Sequence, residues 1–383
     1  MTTSPCLHTQ PPRAMEVYFF SGTGNARRAA LWVAEEAAGM GLPCRLTSLD
    51  RRDPPQAPPP SGTLTGFVFP VHGFTLIWAM LRFLLRFPRA QGPSGVFVAA
   101  TLGGCKFGRV YVPGWEGSGL YLALLVLRLK GYRARGALPL RYTPENWTSL
   151  FPGYGEASVR KMMERTRAKY VGRIRRLLSG QPEFSGRIGF LFGLAVLPVS
   201  LLYLVLGRFM LAKLQFATSR CTGCGECAKR CPVGAIRLIG RRPYWKITCE
   251  SCMRCINFCP RRAVQASQPF LLLLLWLAGL PVGAWLLGGG RFPGLGMPWV
   301  RRLVIALVEY PWILLSISAA YWVWFWLLAW KPLNRLFEFT TLTRIYPRTR
   351  EPDTRWSDFS PDREENLPSP SRSAVHGEKE VAP

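Results

Sequence analysis

Apolar positions fall into three arrangements along this chain, and each predicts a different kind of element. In the first, short runs rich in aromatic and β-branched residues alternate with longer stretches of helical period. EVYFF after Met15, CRLTSL near residue 46, LTGFVFP ending at Pro70, GVFVAAT from Gly95 and RARGALPL from Arg133 read as five buried strands. ALWVAEEAA, LIWAMLRFLLRF and YLALLVLRLKGY read as the helices between them, and a proline-rich loop from Pro54 to Pro60 separates strands two and three. This alternation predicts an α/β doubly wound parallel sheet, whose ligands bind at the carboxyl ends of the strands. Three turns reach that edge: Ser21 to Ala26, Pro70 to Thr75 and Thr101 to Cys105.

The second arrangement is basic and amphipathic. Over residues 156–178, Val159, Met162, Met163, Tyr170, Ile174 and Leu177 line one side, and Lys and Arg fill the rest. Such a helix lies on anionic lipid, or closes the sheet with a solvated basic face. The third arrangement is continuous apolarity. Residues 270–290 carry no charge and are long enough for a bilayer core of about 30 Å, and residues 303–330 form a second such run ending in a dense Trp, Tyr and Phe band. Together with the Gly/Pro loop between them they predict an α-helical transmembrane hairpin over 268–332. Residues 188–207 form a further apolar run with Pro198 near its centre, which suggests a re-entrant or interfacial segment (188–214) in place of a straight crossing. Glu309 is the only acid in the last run, and Pro311 beside it suggests that the span begins at Trp312. Residues 1–14 read as a disordered extension, and residues 333–383 as a charged, largely disordered tail.

Charge decides the surroundings. The chain has 383 residues, room for two or three domains, and a formal net charge of +27, so it needs an anionic neighbour. The basic residues are dispersed and no nucleic-acid-binding motif accompanies them, which argues against nucleic acid. With 49% hydrophobic residues and 14 Trp, a membrane bearing anionic lipid fits better. Residues 208–269 hold 12 Lys and Arg against two Glu, while the loop 291–302 holds three. The positive-inside rule then places residues 208–269 and the tail on the cytoplasmic face of a cytoplasmic membrane. The absence of an opening secretory signal peptide places the sheet there too.

The chemistry is carried by cysteine. CTGCGECAKRCP from Cys221 and CESCMRCINFCP from Cys249 are two copies of C-x2-C-x2-C-x3-C-P, the spacing that holds [4Fe-4S] clusters. In this pattern three thiolates grip one cubane and the fourth, before proline, turns to the other. Cluster I therefore takes Cys221, Cys224, Cys227 and Cys259, and cluster II takes Cys249, Cys252, Cys255 and Cys231. Structural zinc is the alternative, but zinc knuckles do not need a third cysteine at the same step. Eight of the eleven cysteines are thus assigned. The first turn of the sheet, Ser21, Gly22, Thr23, Gly24 and Asn25, stands between a strand and a helix N-terminus, an arrangement that cradles a phosphate on backbone N–H groups, hydroxyls and the helix dipole. The alternative is an ordinary strand-to-helix turn.

SGTGN after strand one, PVHG after strand three and TLGG after strand four resemble a short-chain flavodoxin, with Ala26 where that family usually carries Thr or Ser. The resemblance implies that the first turn holds FMN phosphate, and that Pro70, Val71, His72 and Gly73, with Thr101, Leu102, Gly103 and Gly104, flank the isoalloxazine ring. His72 stands where an aromatic often stacks on the flavin; the plainer reading is a solvated loop histidine. With YTPENW at Tyr142, RPYWK before Cys249 and the cysteine repeat, the chain resembles the flavodoxin/ferredoxin fusions called ferrodoxins, over about residues 15–180 and 215–267. That resemblance implies a flavodoxin-like FMN domain (15–150), a basic helix or linker (151–187) and a small α+β 2[4Fe-4S] ferredoxin domain (215–267). The implied function is a membrane-anchored electron carrier between redox partner proteins. A membrane oxidoreductase acting on a quinone or nicotinamide, and an iron-sulfur redox sensor, are the alternatives. No GxGxxG nicotinamide fingerprint is present, which favours the carrier.

Overall fold

The computed structural model describes residues 11–107, 110–143, 152–184, 187–282, 285 and 298–359. The chain divides into two compact units, one of residues 1–143, 161–194 and 360–383, the other of 144–160 and 195–359.

The first unit is the expected sheet. Strands β1 (Ala14–Phe19), β2 (Cys44–Ser48), β3 (Thr63–His72), β5 (Gly95–Gly103) and β8 (Arg133–Thr143) lie in the order β2-β1-β3-β5-β8, all parallel. Helices α1 (Asn25–Gly39), α2 (Trp78–Arg86) and α3 (Gly119–Leu129) connect them. This is the flavodoxin-like winding order. Register brings Val17 beside Leu46 and Gly66, and Pro70 beside Thr101, so the ends of β1, β3 and β5 share one edge. An aromatic group fills one face of the sheet: Tyr18, Phe67 and Phe87 stand with ring centroids 5.1–5.7 Å apart.

Several elements depart from the sequence reading. Strand β3 runs through the expected PVHG turn to His72 and folds back on a short β4 (Thr75–Leu76). Strand β5 continues to Gly103, so Thr101–Gly103 is paired strand where a free loop was expected. A hairpin of β6 (Cys105–Phe107) and β7 (Val110–Val112) follows. Ala14 pairs with Thr63 and the Arg13 amide donates to the Gly62 carbonyl, so the sheet claims the end of the expected disordered extension; residues 1–10 and most of YTPENW lie outside the described residues.

Of the two readings open for α4 (Glu156–Leu178), the structure takes the helix that closes the sheet with a solvated basic face. Val159, Met162, Met163, Tyr170, Ile174 and Leu177, the stripe that could have faced lipid, are all buried. From Lys161 onward α4 belongs to the sheet unit, where Tyr170 meets Trp32 at 6.2 Å and β9 (Glu183–Phe184) extends the sheet beside β8. The domain therefore does not end at residue 150, and α4 has no apolar face left for a bilayer. Its basic residues serve as pairs: Arg167 with Glu35 at 3.0 Å, Arg175 with Glu36 at 2.6 Å, and Arg173 with Glu183 at 2.9 Å. Exposed pairs of this kind contribute about 0–1 kcal/mol each, whereas a buried aliphatic side chain contributes about 1.5–3 kcal/mol. Packing holds the helix.

In the second unit the cysteine motifs repeat at an offset of 28 residues, Cys221 to Cys249. Backbone conformation repeats with them: φ is positive at Gly223 and Ser251, at Gly225 and Met253, and at Gly234 and Arg262. Strand β10 (Gln215–Ala217), which precedes the first motif, pairs antiparallel with β13 (Val264–Ala266), which follows the second. Between the motifs, β11 (Ile236–Ile239) pairs with β12 (Arg242–Trp245).

The apolar runs are only partly as expected. A single helix, Pro298–Leu327, passes unbroken through Pro311, and Arg302–Leu327 is long and apolar enough to cross a membrane. The other arm of the expected hairpin is an 11-residue helix, Gln268–Ala278; residues 283–284 and 286–297 lie outside the described residues. The aromatic band does not serve as a headgroup girdle throughout. Tyr321, Trp324 and Phe325 are buried against the cysteine module, with Trp324 stacked on Phe270 at 4.0 Å and 5.2 Å from Phe216, and Tyr244 5.2 Å from Phe325. The run 188–207 breaks at Val196, and Pro198 lies in the first turn of the second helix in place of kinking one. The tail is not disordered over 333–359. Lys331–Thr340 is helical, Thr343 donates to Gln265 at 2.7 Å, and Thr349, Glu351, Thr354 and Phe359 are buried.

Replacing Ile174 with Ala is expected to lower the unfolding free energy by about 2–5 kcal/mol, measured by denaturant titration, while Arg167→Ala changes it by no more than about 1 kcal/mol. A lipid-facing α4 would give the reverse: little loss of stability and weaker vesicle binding.

Candidate redox centres

Cys221, Cys224, Cys227 and Cys259 line one pocket, which the β10–β13 pairing closes by returning Cys259 to the first motif. Cys249, Cys252 and Cys255 sit within electrostatic reach of one another, and Cys231 lies beside Cys249. Cys227 and Cys255 feel each other and so link the two groups. Cys259 thus stands with the three cysteines of the first motif, and Cys231 stands beside Cys249 of the second. None of the described cysteines is in a disulfide. Among the described residues, no three His, Cys, Asp or Glu converge on a single-ion position.

The positive-φ residues explain how so short a chain wraps a cluster. Gly223 and Gly225, and Ser251 and Met253 in the second copy, turn backbone N–H groups inward. Amides donate to sulfur in matching places: Ser251 to Cys249 at 3.5 Å, Ala235 to Cys231 at 3.2 Å and Ala263 to Cys259 at 3.3 Å. Burial, reinforced by neighbouring thiols, pushes Cys227 up to about 12 and holds Cys249 and Cys255 well above the ordinary thiol value. Without a cation these sulfurs stay protonated; a cluster's iron would supply the charge that lets them ionise. Gln215 fits the same demand. Its Oε1 accepts from the Cys255 thiol at 3.2 Å while its buried Nε2 has no partner. A thiolate cannot donate, and with the amide turned over Nε2 donates to the sulfur instead.

Around the second group, half-buried Arg208 pairs with buried Glu250 at 3.7 Å, and Lys213 Nζ donates to the Trp245 carbonyl at 2.7 Å while lying 4.5 Å from the Tyr321 ring.

At the sheet edge, Ser21, Thr23 and Asn25 are buried in the turn from β1 to α1, and Gly24 caps the helix at φ 97° without any side-chain cap bond. The Gly24 amide donates to Ser21 Oγ at 3.1 Å, and Asn25 Nδ2 donates to Thr23 Oγ1 at 3.1 Å. That leaves Asn25 Oδ1 buried and unpartnered, an acceptor for a ligand hydroxyl. These features fit a flavin phosphate and its chain. Pro70, His72, Thr101, Leu102 and Gly104 are buried at the neighbouring strand ends, while Val71 and Gly73 are half-buried and Gly103 is exposed. Thr143 Oγ1 donates to the Leu102 carbonyl at 2.7 Å and the Gly104 amide to the Thr143 carbonyl at 3.0 Å, so β8 clamps this flank. His72 is not a solvated loop residue: it is buried, and burial pulls its imidazole down to about 4. The side chain of Cys105 lies outside the described residues.

Three aromatics at these sites were not singled out from sequence. Phe74 holds φ 60° in the turn after His72, and its carbonyl accepts from the Ser118 amide at 2.7 Å. Trp115, largely exposed, meets Phe192 at 4.0 Å. Trp356 lines the first cysteine pocket. Its only signal was being a lone tryptophan in a polar tail.

A family model for the 4Fe-4S binding domain matches residues 214–237. The chain therefore contains a 4Fe-4S binding domain, and it joins that domain to a flavodoxin-like sheet. Among solved structures, the chain is similar to a rubredoxin oxygen:oxidoreductase from Desulfovibrio gigas at 14% identity, covering 45% of this chain and 38% of that one with a TM-score of 0.26. It is also similar to a flavodoxin from the pneumococcal strain TIGR4 (14% identity, 42% and 97% covered, TM-score 0.26) and to an azoreductase from Bacillus anthracis (9%, 43% and 99%, 0.29). No curated protein matches.

The histidine gives a pH test. Its folded value lies below the ordinary 6.5, so the neutral form stabilises the fold above about pH 6.5, and that stability is lost as pH falls toward 4. The shift corresponds to a loss on the order of 3 kcal/mol. Unfolding of the cofactor-free protein between pH 7 and 4 should become less pH-dependent in His72→Gln; an unchanged slope would mean the imidazole is not the group responsible.

Proposed function

We propose that this protein is a membrane-anchored electron carrier in which FMN and two [4Fe-4S] clusters exchange electrons. The observation that carries the reading is the return of Cys259 to the pocket of Cys221, Cys224 and Cys227, which gives one cubane its fourth ligand and frees Cys231 for the other. Cys221, Cys224, Cys227 and Cys259 hold cluster I, and Cys249, Cys252, Cys255 and Cys231 hold cluster II. The clusters supply one-electron steps at low potential; the protein's part is to neutralise, shield and space them.

In the sheet unit, Ser21, Gly22, Thr23, Gly24 and Asn25 hold the FMN phosphate, and the ends of β3 and β5 flank its ring. The neutral His72 adds no positive charge beside a flavin, which favours neither charge state of the reduced ring by direct attraction. The helix Arg302–Leu327 anchors the protein, and the basic surface of residues 208–269 faces anionic lipid on the cytoplasmic side. The buried stripe of α4 takes no part in this attachment. The fusion organisation agrees with a member of the ferrodoxin group carrying added membrane segments.

Anaerobically purified protein should contain about eight iron and about eight sulfide per chain, four of each per cubane, and release FMN on denaturation. Thr23→Ala and Asn25→Ala should each weaken FMN binding roughly tenfold, the effect of about one lost hydrogen bond. Stoichiometric zinc without sulfide would overturn the cluster reading, and unchanged FMN affinity in both variants the flavin reading. Single cysteines replacing Ser61 and Ser219 should both be protected from an impermeant label in intact cells, and one replacing Gly294 should react; opposite results at Ser61 and Ser219 would refute a direct relay.

A further inference from the structure

One wall of the first cysteine pocket comes from the far end of the chain. Beyond the apolar helix the backbone returns along the cysteine module, and Trp356 joins Cys221, Cys224, Cys227 and Cys259 in lining the pocket. Its indole N–H donates to Glu226 Oε2 at 3.1 Å, and its ring stacks on Phe258 at 5.7 Å with 16° between planes. Glu226 immediately precedes Cys227 and Phe258 immediately precedes Cys259. Both contacts therefore fall on residues adjoining ligands of cluster I.

The segment that carries Trp356 is anchored on both sides. Glu351 and Thr354 are buried and bonded at 2.5 Å, and Asp353 pairs with Arg160 at 3.0 Å. Phe359 is buried 4.9 Å from Phe258 with the Arg254 guanidinium 4.0 Å over its ring. Glu226 is held from its other side by Arg230.

The 28-residue repeat supplies an internal control. Its equivalents of Glu226 and Phe258 beside the second group are Arg254 and Arg230, and these bond to each other, Arg254 Nη1 donating to the Arg230 carbonyl at 2.9 Å. Trp356 also reaches Arg230, whose guanidinium lies 5.3 Å from its ring, but the cysteine pocket that Trp356 lines is that of Cys221, Cys224, Cys227 and Cys259. The near-symmetry of the two motifs is broken by the tail.

We propose that Glu351–Phe359 is the closing wall of the cluster I site, with Trp356 a positioning residue that keeps water from that cluster and so sets its potential apart from that of cluster II. The inference rests on the cluster reading above. One-electron reduction of a cubane held by four thiolates adds negative charge to an already anionic group, and water stabilises the more charged state more than an indole does. The wall therefore lowers the potential of cluster I and slows the approach of oxidants.

The test uses the full-length, anaerobically purified protein, with iron and sulfide counted before an EPR-monitored dithionite titration. Trp356→Ala should raise the midpoint potential of one cluster only and bleach that cluster severalfold faster in air. Trp356→Phe keeps a stacking ring without the N–H and should restore most of both properties. A chain ending at Arg350 should behave as Trp356→Ala does. The proposal is overturned if Trp356→Ala retains full iron with unchanged potential and air lifetime, if both clusters shift equally, or if Trp356→Phe gives no rescue. Failure of the cluster reading is separate: it would appear in the unaltered protein as zinc without sulfide, and would remove this inference with it.

Discussion

The pairing of β10 with β13 is the constraint on which the cysteine-bearing unit depends. It joins the strand before the first motif to the strand after the second, so the two repeats cross and each must complete the other's cysteine group. Neither half can then form a site alone. The same crossing buries Cys231, Cys249 and Cys255 in a segment of about fifty residues, where isolated charges would be costly. Backbone amides turned inward by residues of positive φ meet part of that cost.

A segment this short cannot bury enough apolar surface to be stable by itself. It borrows a core. Phe216 and Phe270 pack on Trp324, Tyr244 packs on Phe325, and the Arg242 guanidinium donates to the Phe325 carbonyl at 2.7 Å. The end of the apolar helix is thus internal to the redox module, while farther along the same helix Leu303, Leu307 and Leu315 are exposed. Large apolar residues left exposed at several turns of one helix support the proposed bilayer segment. Near that buried end, the Tyr321 hydroxyl donates to the Gln215 carbonyl at 3.1 Å, at the start of β10.

Readability in the sequence varied with the range of the interaction. The five parallel strands were legible because each is a short apolar run bounded by turns, and the cysteine grouping because ligand spacing is a local constraint. The extension of β5 to Gly103 was not, since Thr143, a remote partner in β8, keeps Leu102 and Gly104 paired. Helix α4 shows the same limit differently. Its amphipathic pattern was plain, but a buried stripe and a lipid-facing stripe have one and the same period, and only Trp32 and the neighbouring sheet decided between them.

The tail was the largest omission. DTRWSDF has the composition of a solvated segment, and its order comes from Phe258, Glu226 and Arg254, which are distant in sequence and lend it no local signal. The sequence by itself determined the strand order's raw material, the eight cysteines and the apolar lengths, because these depend on spacing and composition along the chain. Which face of α4 was covered, which strands crossed and which tryptophan closed the first cysteine pocket were decided only in the tertiary structure, because burial and hydrogen bonding are properties of pairs and the second member of each pair lay elsewhere in the chain.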